Sequence, residues 1–105
     1  MSSIPTKVKV GYLTYDIQLV QNLFNEDGQA LYGEQSSFEQ YIRLNITAAE
    51  DQIKAAFIHE ILHAIIDQYY PMYLKHEERI VNSLTTGLTN LLNDNPDLME
   101  YLCSN

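Results

Sequence analysis

HEILHAIID, residues 59–67, is the stretch whose reading decides the fold. Two histidines stand four residues apart, a glutamate follows the first, and no further charge appears until Asp67. Working outward, Ala49, Ile53, Phe57, Ile61, Ala64 and Ile65 recur at helical spacing, so the stretch sits in an amphipathic helix. Ala56, Ile58, Leu62 and Ile66 widen the apolar surface until the later half of the helix is apolar on almost every side, which places it in the middle of a domain. Upstream, T-A-A-E at 47–50 reads as a capping box, in which the Thr47 hydroxyl accepts from the Glu50 amide and the Glu50 carboxylate reaches back. Downstream, Pro71 blocks continuation, giving a helix over about residues 48–70.

Before this helix the chain reads as strand. Residues 7–20, KVKVGYLTYDIQLV, are rich in Val, Ile, Tyr and Thr with partial alternation, as a strand with one buried face requires. N-E-D-G at 25–28 marks a turn, and the polar GEQSSFEQ at 33–40 suggests a hairpin. Its second arm is YIRLNI, 41–46, where Ile42, Leu44 and Ile46 alternate with Tyr41, Arg43 and Asn45. After the central helix, residues 76–92 place Ile80, Leu84, Leu88, Leu91 and Leu92 on one face of a second long helix. N-D-N-P at 93–96 ends it, and Pro96 suits the first turn of a short final helix through Tyr101. The expected architecture is a single α+β domain over residues 1–105, a small antiparallel sheet packed on two long helices and a short C-terminal one.

A chain of 105 residues with 46% hydrophobic and 19% charged residues has the composition of one soluble globular domain. Six basic against fourteen acidic residues leave a formal charge of -8, which repels phosphate backbones and anionic lipid surfaces, so neither nucleic acid nor membrane is an expected partner. Cys103 is the sole cysteine, which rules out an intrachain disulfide and a cysteine-rich metal knuckle. MSSIPTKVKVGY lacks the apolar run of a secretory signal, and the reading is a cytoplasmic protein.

Positions four apart on a helix share a face, so His59 and His63 can both direct a ring nitrogen to one zinc ion at about 2.0–2.1 Å. Glu60 is placed to hold a water on that ion and act as its base without taking a coordination position. The bland alternative is a buried helix with two satisfied core histidines and a glutamate turned to solvent. A catalytic site ordinarily takes a third protein ligand and leaves the fourth position open. The pattern that continues H-E-x-x-H with Gly and a third His fails, since Ile66 and Tyr69 occupy those places. The second helix supplies His76, Glu77 and Glu78 instead. Glu78 is favoured because E-R-I-V-N puts Asn82 one turn further on, where it can hydrogen-bond a ligating histidine. His76 and Glu77 stay open as ligands, and so does a solvated acidic first turn stabilised by the helix dipole.

HEILHAIID followed by ERIVN resembles the gluzincin metallopeptidases, with H-E-x-x-H, Asp four after the second His, and a later E-x-x-x-D/N. In size and order the chain is similar to small phage-encoded and ImmA/IrrE-type zincins over about residues 30–100. The resemblance implies one zinc per chain held by His59, His63 and Glu78, with Glu60 as general base and acid. Asn82 and Asp67 would support the ligands from behind. It also implies an extended peptide or protein substrate pairing with the strand at Tyr41, Ile42 and Arg43. The interval from His63 to Glu78 is short for a full-sized gluzincin, and no second lobe supplies a transition-state donor. Tyr69, Tyr70 and Tyr73 lie near enough in sequence, although packing at a helix end is the simpler role for each.

The expected activity is zinc-dependent hydrolysis of a peptide bond. Its rivals are a domain in which zinc staples two helices, and an inactive zincin-like module of phage origin that engages a host protein.

Overall fold

The computed structural model describes residues 3–105. Four strands precede three helices: β1 (Lys7–Val10), β2 (Leu13–Val20), β3 (Gly33–Ser36), β4 (Tyr41–Asn45), α1 (Glu50–Tyr69), α2 (Glu77–Asp94) and α3 (Pro96–Cys103). The α+β class and the element order agree with the sequence reading, and the details of the sheet do not.

Residues 7–20 form two strands rather than one, because Gly11 takes φ 58° and turns the chain into an antiparallel hairpin with Val10 opposite Leu13. Gln68, near the end of α1, fastens this turn: it donates to the Val10 carbonyl at 2.6 Å and accepts from the Tyr12 amide at 2.9 Å. Any Cβ at position 11 would lie 2.4 Å from the Gln68 side-chain oxygen, so the turn needs glycine for space as well as for conformation. The expected N-E-D-G turn is present, closed by the Asn25 side chain, which accepts from the amides of Asp27 and Gln29.

The expected hairpin exists, but its first arm is G-E-Q-S itself. This strand is held by its backbone ladder to β4 and by a Glu34–Arg43 ion pair at 2.9 Å, so apolar patterning leaves no trace of it.

The sheet is mixed, in the order β1-β2-β4-β3, with β2 and β4 parallel. This corrects the antiparallel sheet read from the sequence. Its cause lies in burial: β4 carries Ile42 and Leu44, both fully buried, and takes an interior position, while polar β3 is left at the edge. The chain therefore passes outward through residues 21–32 before returning beside β2.

One consequence overturns the expected substrate strand. β4 is hydrogen-bonded to a neighbour on each side and has no free edge for a peptide at Tyr41, Ile42 and Arg43. Ile42 is sealed in the core. Arg43 points to the other face of the sheet, stacked over Tyr41 with its guanidinium 4.0 Å from the ring and bonded to Gln18 and Glu34.

α1 lies across the sheet and buries Ile53, Ala56, Glu60 and Ala64 against Val10, Tyr15, Ile42 and Leu44. Its start differs from the expected capping box. The Thr47 amide and hydroxyl both bond to the Asn45 side chain, and Ala49 becomes the first flanking residue, its amide donating to Gln52 at 3.3 Å. Buried Asn45 thus uses the hydroxyl that the cap would have taken, and its own amide donates to the Leu31 carbonyl at 2.9 Å.

α2 packs on the opposite side of α1 through Val81 and Thr85. Ile80, Leu84 and Leu91, on the apolar face read from the sequence, remain 38%, 47% and 43% exposed, because among the described residues no further layer covers that face of α2. Pro96 opens α3, as expected. Among the described residues no helix is long and apolar enough to cross a membrane.

Candidate metal centre

The buried stripe of α1 fixes where its polar residues must point. Ile53, Ala56 and Ala64 face the sheet, and Glu60, on the same stripe, is carried inward to only 8% exposure. His59 and His63 flank this stripe on the side that meets α2, with ring centroids 4.8 Å apart.

The third member arrives from the start of α2. His76, at φ 63°, turns the chain in the left-handed conformation, so that Glu77 and Glu78 in the first helical turn approach α1. Glu78 Oε1 lies 2.7 Å from His59 Nε2 and Glu78 Oε2 lies 3.1 Å from His63 Nε2. One carboxylate thus spans both histidines. One donor atom from each of His59, His63 and Glu78 lies within 4.8 Å of the other two, and the group could hold a metal ion. Donors about 2.0–2.1 Å from a tetrahedral ion are about 3.3 Å apart, so small side-chain adjustments suit this set to one. His76 serves the turn and takes no part in the group.

Glu77, weighed from the sequence as a ligand, has another position. Its Oε2 lies 2.6 Å from His63 Nδ1. A carboxylate there favours a proton on Nδ1, so that Nε2 is the atom a metal would take in exchange for its proton.

The three titrating side chains respond differently to this enclosure. Burial pulls the His59 imidazolium down, and the nearby Glu78 charge offsets that only in part. Burial acts on His63 too, but the Glu77 hydrogen bond and the charges of Glu78 and Glu60 outweigh it, so its net shift is upward. The Glu60 carboxyl is pushed up to about 7, chiefly by burial; His63 opposes this, while Glu78 and Glu34 add to it.

Gly33 explains how β3 comes so close to Glu60. A Cβ on this residue would stand 3.1 Å from the Arg43 carbonyl oxygen and 3.2 Å from Glu60 Cγ. A groove over the histidines is walled by Gly33, Glu34 and Gln35 on one side and by His59, His63 and Glu78 on the other.

Two expected supports of the ligands are placed elsewhere. Asp67 accepts from Ser37 Oγ at 2.7 Å and Gln35 Nε2 at 3.0 Å, so it ties α1 to the β3–β4 hairpin and touches neither histidine. Asn82 lines a cavity beside His59 and Glu60 but, among the described residues, hydrogen-bonds neither ring. Tyr69, Tyr70 and Tyr73 are exposed and line neither this groove nor that cavity; the Tyr69 hydroxyl packs against the Gly11 turn. The residues not anticipated are Gly33 and Gln35, on a strand without apolar pattern, together with Glu77 in its role behind His63. The N–H of His63 needs an acceptor, and that need was the signal pointing to an acid at this turn.

No protein-family model, curated protein or solved structure matches the chain.

Proposed function

We propose that the protein is a minimal zincin-like, zinc-dependent metallopeptidase. The observation that carries this reading is the Glu78 carboxylate set between the two Nε2 atoms of His59 and His63, with Glu60 buried alongside. His59, His63 and Glu78 would hold the ion, and the three-member set leaves a coordination position open, unlike the four protein donors of a structural site. Zinc bound there would supply a lowered pKa for water and polarisation of a carbonyl.

Glu60 takes the proton from the attacking water and later delivers it to the leaving amine, a task that suits a carboxyl buried beside the two histidines. Glu77 holds the His63 ring in one tautomer and orientation. Gly33 lets the β3 backbone approach the base without a side chain between them.

β3 also supports the mode of substrate binding. The Asn45 amide donates to the Tyr32 carbonyl, so the alternation of an antiparallel ladder turns the backbone groups of Gly33 and Gln35 away from β4, along the free edge. An extended peptide pairing with that edge lies over the histidines. The test is hydrolysis of a mixed peptide library by zinc-loaded protein, followed by mass spectrometry. Cleavage should occur with wild type, disappear with chelator and return with zinc, and be absent in Glu60→Gln. Equal cleavage by Glu60→Gln would end the assignment.

A further inference from the structure

α2 has two apolar faces. Val81 and Thr85 bury one of them against α1, while Ile80, Leu84 and Leu91, about a third of a turn round the helix, form a second apolar stripe that is left exposed. From Ile80 to Asn93 the chain carries no charged residue, so none of the protein's fourteen acids falls on this stripe. A solvated helix face ordinarily carries charge, and the loss of charge together with exposed Leu and Ile is the composition of an interface centre. Gly87 lies on the same stripe between Leu84 and Leu91. A Cβ there would meet nothing within 4 Å, so nothing inside the chain requires glycine, which weakens a helix interior relative to alanine. The close approach of a second helix from outside gives it a reason.

Charge identifies the occupant. Lys75 and Arg79 stand at the N-terminal end of the stripe, Asp94 at its C-terminal end, and Asp97 and Glu100 follow on α3; all five are exposed. Among the described residues neither Arg79 nor Asp94 has a salt-bridge partner. Glu77 and Glu78, the acids beside Arg79, are engaged by His63 and His59 on the α1 side. We infer that the exposed face of α2 binds a second copy of this chain, with the two α2 helices antiparallel about a two-fold axis near Thr86. Ile80 then faces Leu91 of the second copy, and Leu84 faces its Gly87, where the missing side chain makes room. Antiparallel helices bring the same flank of each together, so Arg79 comes alongside Asp94 of the second copy, and the symmetry makes each of these contacts twice. A parallel pair would set acid against acid at one end and cation against cation at the other. Nothing in this arrangement depends on the metal or on peptidase activity.

Sedimentation velocity of the full chain reads the oligomeric state directly. Wild type should show a reversible monomer–dimer equilibrium with a Kd on the order of 10 μM, as a small interface gives. Leu84→Glu, at an exposed position, should weaken the dimer roughly tenfold or more and leave the circular dichroism of the monomer unchanged. Gly87→Ala should raise the Tm of dilute monomer by about 5 °C and yet weaken the dimer, two effects of opposite sign that no role within the chain produces. Arg79→Glu and Asp94→Arg should each weaken association about tenfold, and the two together should restore it. The positions are fifteen apart on α2, roughly 22 Å of helix, so that rescue acts only between copies. A protein that stays monomeric to about 1 mM overturns the inference and leaves the face to a different partner. A dimer indifferent to Leu84→Glu places the contact elsewhere and overturns it equally. A dimer that Leu84→Glu breaks but the double charge reversal does not restore refutes the antiparallel arrangement.

Discussion

Replacing Glu60 with Gln should stabilise the metal-free protein at alkaline pH and leave it unchanged in acid. Glu60 is buried, and its carboxyl is pushed from the ordinary 4.5 up to about 7, first by burial and then by the charges of Glu78 and Glu34 against the opposing His63. A folded-state value above the unfolded one means that the group's stability is fully present below about pH 4.5 and is lost as pH rises through about 7. Above that point the fold carries a buried carboxylate at a cost of about 3 kcal/mol. Gln keeps the shape and removes the charge. Its advantage should be near zero at pH 4 and grow between pH 4.5 and 7 to a plateau of about 3 kcal/mol, on the order of 10 °C in Tm for a domain of this size. Urea unfolding of both proteins in chelator across pH 4 to 8.5 measures the difference and cancels titrations they share. A Gln variant equal to or weaker than wild type at pH 8 would show that Glu60 is not a destabilised buried acid in the metal-free fold.

Four further substitutions separate the roles of neighbouring side chains. Glu77→Gln removes the charged partner of His63 Nδ1 and should weaken zinc binding about 10- to 100-fold, as read by competition with a chelating dye, while Asn82→Ala should leave affinity nearly unchanged. Asp67→Ala cuts two hydrogen bonds between α1 and the β3–β4 hairpin and should cost about 1–2 kcal/mol in chemical denaturation with zinc stoichiometry intact. Gly33→Ala sets a methyl group against the Arg43 carbonyl and Glu60 Cγ; peptide cleavage should fall at least tenfold with zinc content preserved, and full activity would mean that β3 does not position the base.

The parts of this molecule legible in sequence are those with strong local periodicity. The central helix, the amphipathic second helix, the Pro96 start of α3 and the alternating strand at 41–45 all follow from side-chain spacing. That His59, His63 and Glu78 come together was legible for the same reason: two sit one helical turn apart, and the third lies in the first turn of the next long helix. What spacing does not carry is pairing. The sequence shows that Ile42 and Leu44 are buried, but one strand neighbour of β4, the parallel β2, comes from a distant part of the chain, and the other, its hairpin partner β3, is a polar strand without apolar pattern. That is why β4 was expected to offer a free edge and instead lies inside the sheet. Asp67 illustrates a further limit. Its position four after His63 is compatible with support of that ring, yet Ser37 and Gln35, more than thirty residues away along the chain for Gln35 and thirty for Ser37, claim its carboxylate.

The most direct test of the central claim is the metal itself: elemental analysis of purified protein, with X-ray absorption at the zinc edge, for wild type and Glu78→Ala. The account predicts one zinc per chain in wild type, bound by two imidazole nitrogens at about 2.0–2.1 Å with oxygen completing the shell, and a marked loss of zinc in the variant. Protein that takes up no stoichiometric zinc, or that retains it undiminished without Glu78, would contradict the account.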